Sequence, residues 1–225
     1  MAKKQNKIEM PKWSLSDAGC IGLLDRPSRK RMIASCRRLL PYIRKYRCSL
    51  GEMILEIGPF FDPLVTPARF PHKTLFYLDK EAHVLKYLKN KRMRNTHLIA
   101  HDLNRIYGNN YPEFKGKLLK ALKRANSNSD HFDSIVISQV FNYIDYKRFL
   151  FRIKKFLKRG GMMFFNNVTN CGAEHLFSKK RPRSVKETIE VFMVAGYQIV
   201  EKRTLKPVWK EFKKRNQLIL IAKRP

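Results

Sequence analysis

From residue 53 onward, short apolar runs alternate with amphipathic stretches. MILEIG (53–58) reads as a buried β run, and TLFYLDK (74–80) as a second. EAHVLKYLKNKR then puts Ala82, Leu85 and Leu88 on one helical stripe, and THLIAHDL opens a third strand. YPEFKGKLLKALKRA is a basic helix; after the short Asn/Ser linker ANSNSD, FDSIVISQ gives a fourth strand. DYKRFLFRIKKFLKRGG predicts an amphipathic helix stopped by Gly160 and Gly161, as helix C-termini prefer. GMMFFNN follows as a fifth strand. VKETIEVFMVAGYQIVEKR supplies helix, glycine turn and strand, and NQLILIAKR is the last strand. Strands alternating with helices predict an α/β domain: a doubly wound, mostly parallel seven-stranded sheet covered on both faces.

Residues 1–48 follow a different pattern and read as a basic helical N-terminal extension to a domain spanning 49–225. Within RPSRKRMIASCRRLLPYIRKYR, Met32, Ile33, Cys36, Leu39, Leu40 and Ile43 recur at helical spacing. Pro41 interrupts this helix or starts a second one. Nine of the residues from Arg26 to Arg47 are Arg or Lys. Two roles stay open for this face: a cover whose apolar side packs on the domain, or an arm facing RNA or a membrane surface.

Charge is the strongest bulk signal. The 48 Lys+Arg against 18 Asp+Glu give +30, a balance that attracts phosphate polyanions through long-range field and counterion release. The same charge, spread along the whole chain, is also what lysine-rich solvated faces carry. RNA or another polyanion is therefore one candidate partner. Cys20, Cys36, Cys48 and Cys171 form no Cys-x-x-Cys pair and there is no paired His spacing, so neither zinc nor a disulfide framework is expected. Reduced thiols in a cytoplasmic protein are the expectation. No apolar run approaches the ~18 residues of a spanning helix, and the polar start MAKKQNKIEMPKW lacks the apolar core of a secretory signal.

In a doubly wound sheet, ligands bind beyond the carboxyl ends of the strands, where strand order switches. The residues at those ends are Glu56 and Gly58, then Asp79, then Asp102, then Ser138 and Gln139, then Asn166 and Asn167. Three acids at successive strand ends stand out in a chain with 18 acids. A carboxylate after the second strand suits two ribose hydroxyls, because it offers two acceptor oxygens.

The series ILEIG, YLDKEAHVLKYL, AHDLN, FDSIVISQVFNYID and FLKRGGMMFFNN resembles the class I S-adenosylmethionine-dependent methyltransferases, from about residue 50 to the end. The resemblance implies the Rossmann-like methyltransferase fold with an antiparallel last strand, and S-adenosyl-L-methionine as cofactor. It implies that Glu56, Gly58 and Pro59 belong to the loop supporting the methionine part, and that Asp79 holds the ribose. Asp102 and Leu103 would meet the adenine, and Ser138 and Gln139 would line the methyl-donor side. The segment VFNYIDYKRFL resembles a subgroup with Asn-Tyr-Ile-Asp after strand four and a Gly-Pro loop. Aminopropyl transferases share this fold, so the transferred group itself rests on the resemblance.

One departure matters. The family pattern is acid-x-Gly-x-Gly, and here the second glycine is Phe60, in GPFFDP. A glycine there lets the backbone approach the cofactor closely. Phe60 and Phe61 either cover the cofactor along a different loop path or block the methionine pocket. Candidate proton acceptors or orienting groups near the ends of strands four and five are Tyr143, His175 and His101. The sequence ISQVFNYI stands where base amino-methylases carry an Asn/Asp-Pro-Pro-aromatic run, and no cysteine occupies a catalytic-looking strand end. A small-molecule acceptor is therefore favoured, with RNA, or a non-catalytic basic binding protein of the same fold, as alternatives.

Overall fold

A computed structural model describes residues 26–91, 93–106, 110–125, 129–169, 178–208 and 215–225. The strands are β1 (Met53–Ile57), β2 (Thr74–Asp79), β3 (Thr96–Ala100), β4 (Phe132–Ser138), β5 (Leu157–Val168), β6 (Gln198–Leu205) and β7 (Gln217–Lys223). The helices are α1 (Arg26–Arg37), α2 (Leu40–Lys45), α3 (Ala82–Asn90), α4 (Tyr111–Arg124), α5 (Tyr146–Ile153) and α6 (Val185–Val194). The sheet runs β3-β2-β1-β4-β5-β7-β6. Pairings among β1 to β5 are parallel, and β7 enters antiparallel between β5 and β6. This is the seven-stranded, mostly parallel Rossmann-like sheet that the hydrophobic pattern predicts.

The period-two alternation of the strands divides the core into two layers. Leu55, Ile57, Phe76, Ile135 and Phe165 face α4, α5 and α6, burying Phe114, Phe149 and Phe192. Ile54, Tyr77, Val136, Phe164 and Ile221 face the other way, against Leu39 and Ile43 of the N-terminal segment, Val84 and Leu88 of α3, and Phe60 and Phe61. Both faces are dry, which is why the central strands read as almost continuous apolar runs. The N-terminal segment thus takes part in the core, with Pro41 in the first turn of α2, where its missing N–H goes unneeded.

Two local expectations are corrected. Gly160 and Gly161 do not stop a helix; α5 ends at Ile153, a 3₁₀ turn covers Lys154–Phe156, and β5 runs through both glycines. The pairing of β4 with β5 shifts register between Phe132 and Ser134. Gly160 has φ +76°, and a Cβ on Gly161 would lie 2.7 Å from the Asp133 carbonyl oxygen, so close backbone approach at a bulge explains the pair. On α3 the buried stripe is Val84, Leu85 and Leu88, while Ala82, the first residue of the helix, is exposed.

Candidate active site

The carboxyl ends of β1 and β4 lie side by side where strand order reverses. The backbone there is tightly tied. Gly58 N–H donates to the Leu78 carbonyl at 2.9 Å, His101 N–H to that of Asp79 at 3.0 Å, and Gln139 N–H to that of Asn166 at 2.7 Å. Above them opens a cleft of about 730 Å³, counted out to its mouth. Gly58, Asp79, His101, Asp102, Leu103, Ser138, Gln139 and Tyr143 all line it. Glu56 and Pro59 are buried and do not line it. His175 lies outside the described residues.

Glu56 works from behind. Its buried carboxyl accepts the backbone N–H of Leu64 at 2.8 Å and of Val65 at 3.0 Å, pinning the loop that carries Phe60 and Phe61. Burial pushes its pKa up to about 8, against the pull of those two N–H groups. Tyr77 Oη donates to the Val65 carbonyl at 2.6 Å and holds the same loop from β2.

The two phenylalanines separate in role. Phe61 turns away and packs against His83 and Tyr87 of α3, at centroid distances of 5.8 and 5.2 Å. Phe60 lines the cleft with its backbone in the left-handed region, φ +52°, a conformation glycine adopts freely and a bulky residue does not. Gly58, at φ +66°, sits so close to Val140 that a Cβ would lie 2.5 Å from its Cγ2.

Around the cleft the polar groups have distinct settings. The Asp79 carboxyl is buried, accepts the Glu81 N–H at 3.0 Å, and is raised by burial to about 6. Asp102 caps the 3₁₀ turn Leu103–Arg105 by accepting the Asn104 N–H at 2.9 Å. His101 is 5% exposed and packs on Phe114. Its Nδ1 lies 3.5 Å from Lys117 Nζ, which itself pairs with Glu113 at 2.7 Å. Nε2 is buried with no protein partner. Burial, with Lys117 second, lowers the His101 pKa. This imidazole is therefore less basic than an ordinary histidine.

The sequence does not reveal the cleft's roof. Met32 and Cys36 of α1 line it, although their spacing shows only an apolar helix face. Burial pushes the Cys36 thiol up to about 12, despite its hydrogen bond with Ser138, so it is no nucleophile. Beneath α1 runs a buried amide network. Asn166 Nδ2 and Gln217 Nε2 donate to the Ser35 carbonyl at 2.8 and 2.9 Å, and Gln139 Nε2 donates to Ser35 Oγ at 3.1 Å. Gln139 Oε1 accepts the Val168 N–H at 3.1 Å. The Gln139 side chain is thus spent on architecture, and what it lends the cleft is its left-handed backbone turn, φ +59°. Among the described residues, no group of three or more His, Cys, Asp and Glu could hold a metal ion, and no helix is long and apolar enough to cross a membrane.

No protein-family model matches the chain, and no curated protein matches it significantly. Solved structures do match in fold. The [4+2]-cyclase SpnF superposes with TM-score 0.61 at 12% identity, over 84% of this chain and 80% of that one. An S-adenosylmethionine-dependent methyltransferase from Mesorhizobium loti gives 0.59 at 16% identity, over 82% and 96%. The N-methyltransferase NodS from Bradyrhizobium japonicum, in complex with S-adenosyl-L-homocysteine, gives 0.60 at 15% identity, over 89% of each chain. At these identities the likeness is one of fold.

Proposed function

We propose that the chain binds S-adenosyl-L-methionine in this cleft and transfers its methyl group to a small-molecule acceptor. The observation that carries the reading is the convergence of Gly58, Asp79, Asp102 and Leu103 on one cleft at the strand-order switch. The structure fits such a cofactor in two respects: the unpartnered Nε2 of His101, and a buried carboxyl at the end of β2. Solved methyltransferases of the same fold, one holding the cofactor product, support it further.

In this reading Asp79 accepts the ribose hydroxyls and Asp102 the adenine amino group, while Leu103 and Phe60 supply apolar faces. Phe60 covers the cofactor, since the Glu56-pinned loop gives its ring a fixed place on the cleft wall. The cofactor supplies an electrophilic methyl group. The chain supplies position and dryness, which suffice for much of the catalysis of an in-line displacement. Tyr143, on the cleft wall, is the candidate to orient the acceptor or take its proton; His101, beside Lys117, helps to orient it.

SpnF has the same fold and a different reaction in its name, so fold alone does not select methyl transfer. Calorimetric titration of nucleic-acid-free protein with S-adenosylmethionine and S-adenosylhomocysteine is the test. Micromolar binding that Asp79→Ala weakens is the expected result. Absence of binding by folded protein overturns the proposal and leaves a basic binding protein with a filled pocket.

A further inference from the structure

Next to the cleft lies a second concavity, a groove of about 870 Å³ counted to its open mouth. The two are contiguous along the chain: Tyr143 and Ile144 line the cleft, and Asp145 lines the groove. The groove is formed by the first turn of α5, the segment 179–183 and the first turn of α6. That segment is moored beside the cleft by the Ser178 N–H, which donates at 2.8 Å to the carbonyl of Asn142, the residue before Tyr143.

Its lining carries six cations, Lys147, Arg148, Lys179, Lys180, Arg181 and Arg183, and two acids, Asp145 and Glu187, for a net 6 − 2 = +4. Both acids are engaged. Asp145 Oδ2 accepts Lys180 Nζ at 2.8 Å; Glu187 accepts Lys147 Nζ at 2.9 Å and the Arg183 N–H at 3.0 Å. The exposed side chains of Lys179 and Arg183 meet no carboxylate among the described residues. Two helix N-termini converge here as well, adding positive partial charge. Like charges gathered this closely repel one another unless an anion is shared between them.

Resting on the methyltransferase reading, we infer that this groove holds the phosphate group of a phosphorylated small-molecule acceptor and so presents the rest of that molecule to the cleft. A phosphomonoester carries about −1.5 to −2 charge and three acceptor oxygens, which matches a net +4 groove better than a single carboxylate does. The cations belong to two short segments, and the Lys147–Glu187 pair bridges the two helices across them. That is a compact pocket for a terminal phosphate, and not an extended track for a nucleic-acid strand.

Inorganic pyrophosphate is the probe, titrated calorimetrically without divalent cations into full-length protein at physiological ionic strength. One saturable site is expected, weakened about tenfold or more by Lys179→Glu/Arg183→Glu, as loss of charge-assisted contacts implies. The control Lys120→Glu/Lys123→Glu, on the exposed face of α4, leaves it nearly unchanged. Non-saturable binding, or equal loss in both double variants, overturns the inference, since the overall charge would then explain everything. Tighter binding of an oligouridine than of pyrophosphate, lost in both variants, overturns it in favour of RNA. S-adenosylhomocysteine titrated into the same samples reads the cofactor separately. Retained cofactor binding without a pyrophosphate site removes the groove alone; an intact pyrophosphate site without cofactor binding removes its role as an acceptor site.

Discussion

The Glu56 carboxyl, buried at the end of β1, accepts the backbone N–H groups of Leu64 and Val65 and so closes the loop between them. Because burial lifts its pKa from an ordinary 4.5 to about 8, the folded chain keeps a proton there that the unfolded chain releases. Its contribution to stability is therefore complete below about pH 4.5 and lost as pH rises through about 8. Glu56→Gln lacks this titration. The urea midpoint of the wild type, relative to the variant, is expected to fall across that window, and a flat difference would show that Glu56 is ionised throughout.

Asp79 gives a second pH signature, of opposite sense. Ribose hydroxyls donate to a carboxylate, and burial raises this one to about 6. Affinity for S-adenosylhomocysteine is expected to weaken as pH falls through about 6. Asp79→Asn should bind about ten- to a hundredfold more weakly, as loss of charged hydrogen bonds implies, with no step near pH 6. A wild-type affinity that ignores pH would place the ribose elsewhere.

Phe60 combines a strained backbone with a buried ring. Phe60→Gly relieves roughly 1–2 kcal/mol of left-handed strain but removes a side chain whose truncation costs about 3–5 kcal/mol. Net destabilisation of about 2 kcal/mol is expected from thermal melts. Affinity for S-adenosylhomocysteine should fall with it if, as proposed, the ring covers the ligand. Tighter binding by the glycine variant would identify Phe60 as an obstruction.

Gln217, the first residue of β7, stabilises the roof from beneath. Its amide donates to the Ser35 carbonyl and, at 2.7 Å, to Asn166 Oδ1. Gln217→Leu takes one of two donors from each of these buried acceptors and removes the acceptor that Arg38 meets at 2.9 Å, at a cost of about 1–3 kcal/mol. The same change should weaken cofactor binding, since α1 carries Met32 and Cys36 over the cleft. Stability lost with affinity unchanged would make the network purely structural.

The strands and their order of polar ends were legible because strand burial is written in period-two runs and because carboxyl ends are adjacent residues in sequence. Partnerships across the chain were not. Nothing near Glu56 announces that its acceptors are filled by Leu64 and Val65, eight and nine residues on. Gln139 lines the cleft, as its position at the end of β4 suggests, but no local pattern shows that Ser35, Asn166 and Val168 engage its side chain. The glycines after α5 fit a helix stop equally well by composition; only the approach of the Asp133 carbonyl, from a neighbouring strand, selects the bulge. The basic groove joins residues 145–148 to residues 179–187, a juxtaposition that no local pattern encodes.

The Cys36 thiol also makes movement of the roof measurable. A partly exposed thiol raised to about 12 reacts with alkylating reagents far more slowly than an ordinary one, while Cys48 stands exposed on the same chain as an internal standard. The ratio of modification at these two positions is then a chemical clock for the lifting of α1. A ligand that settles beneath the helix should slow that clock without touching the standard.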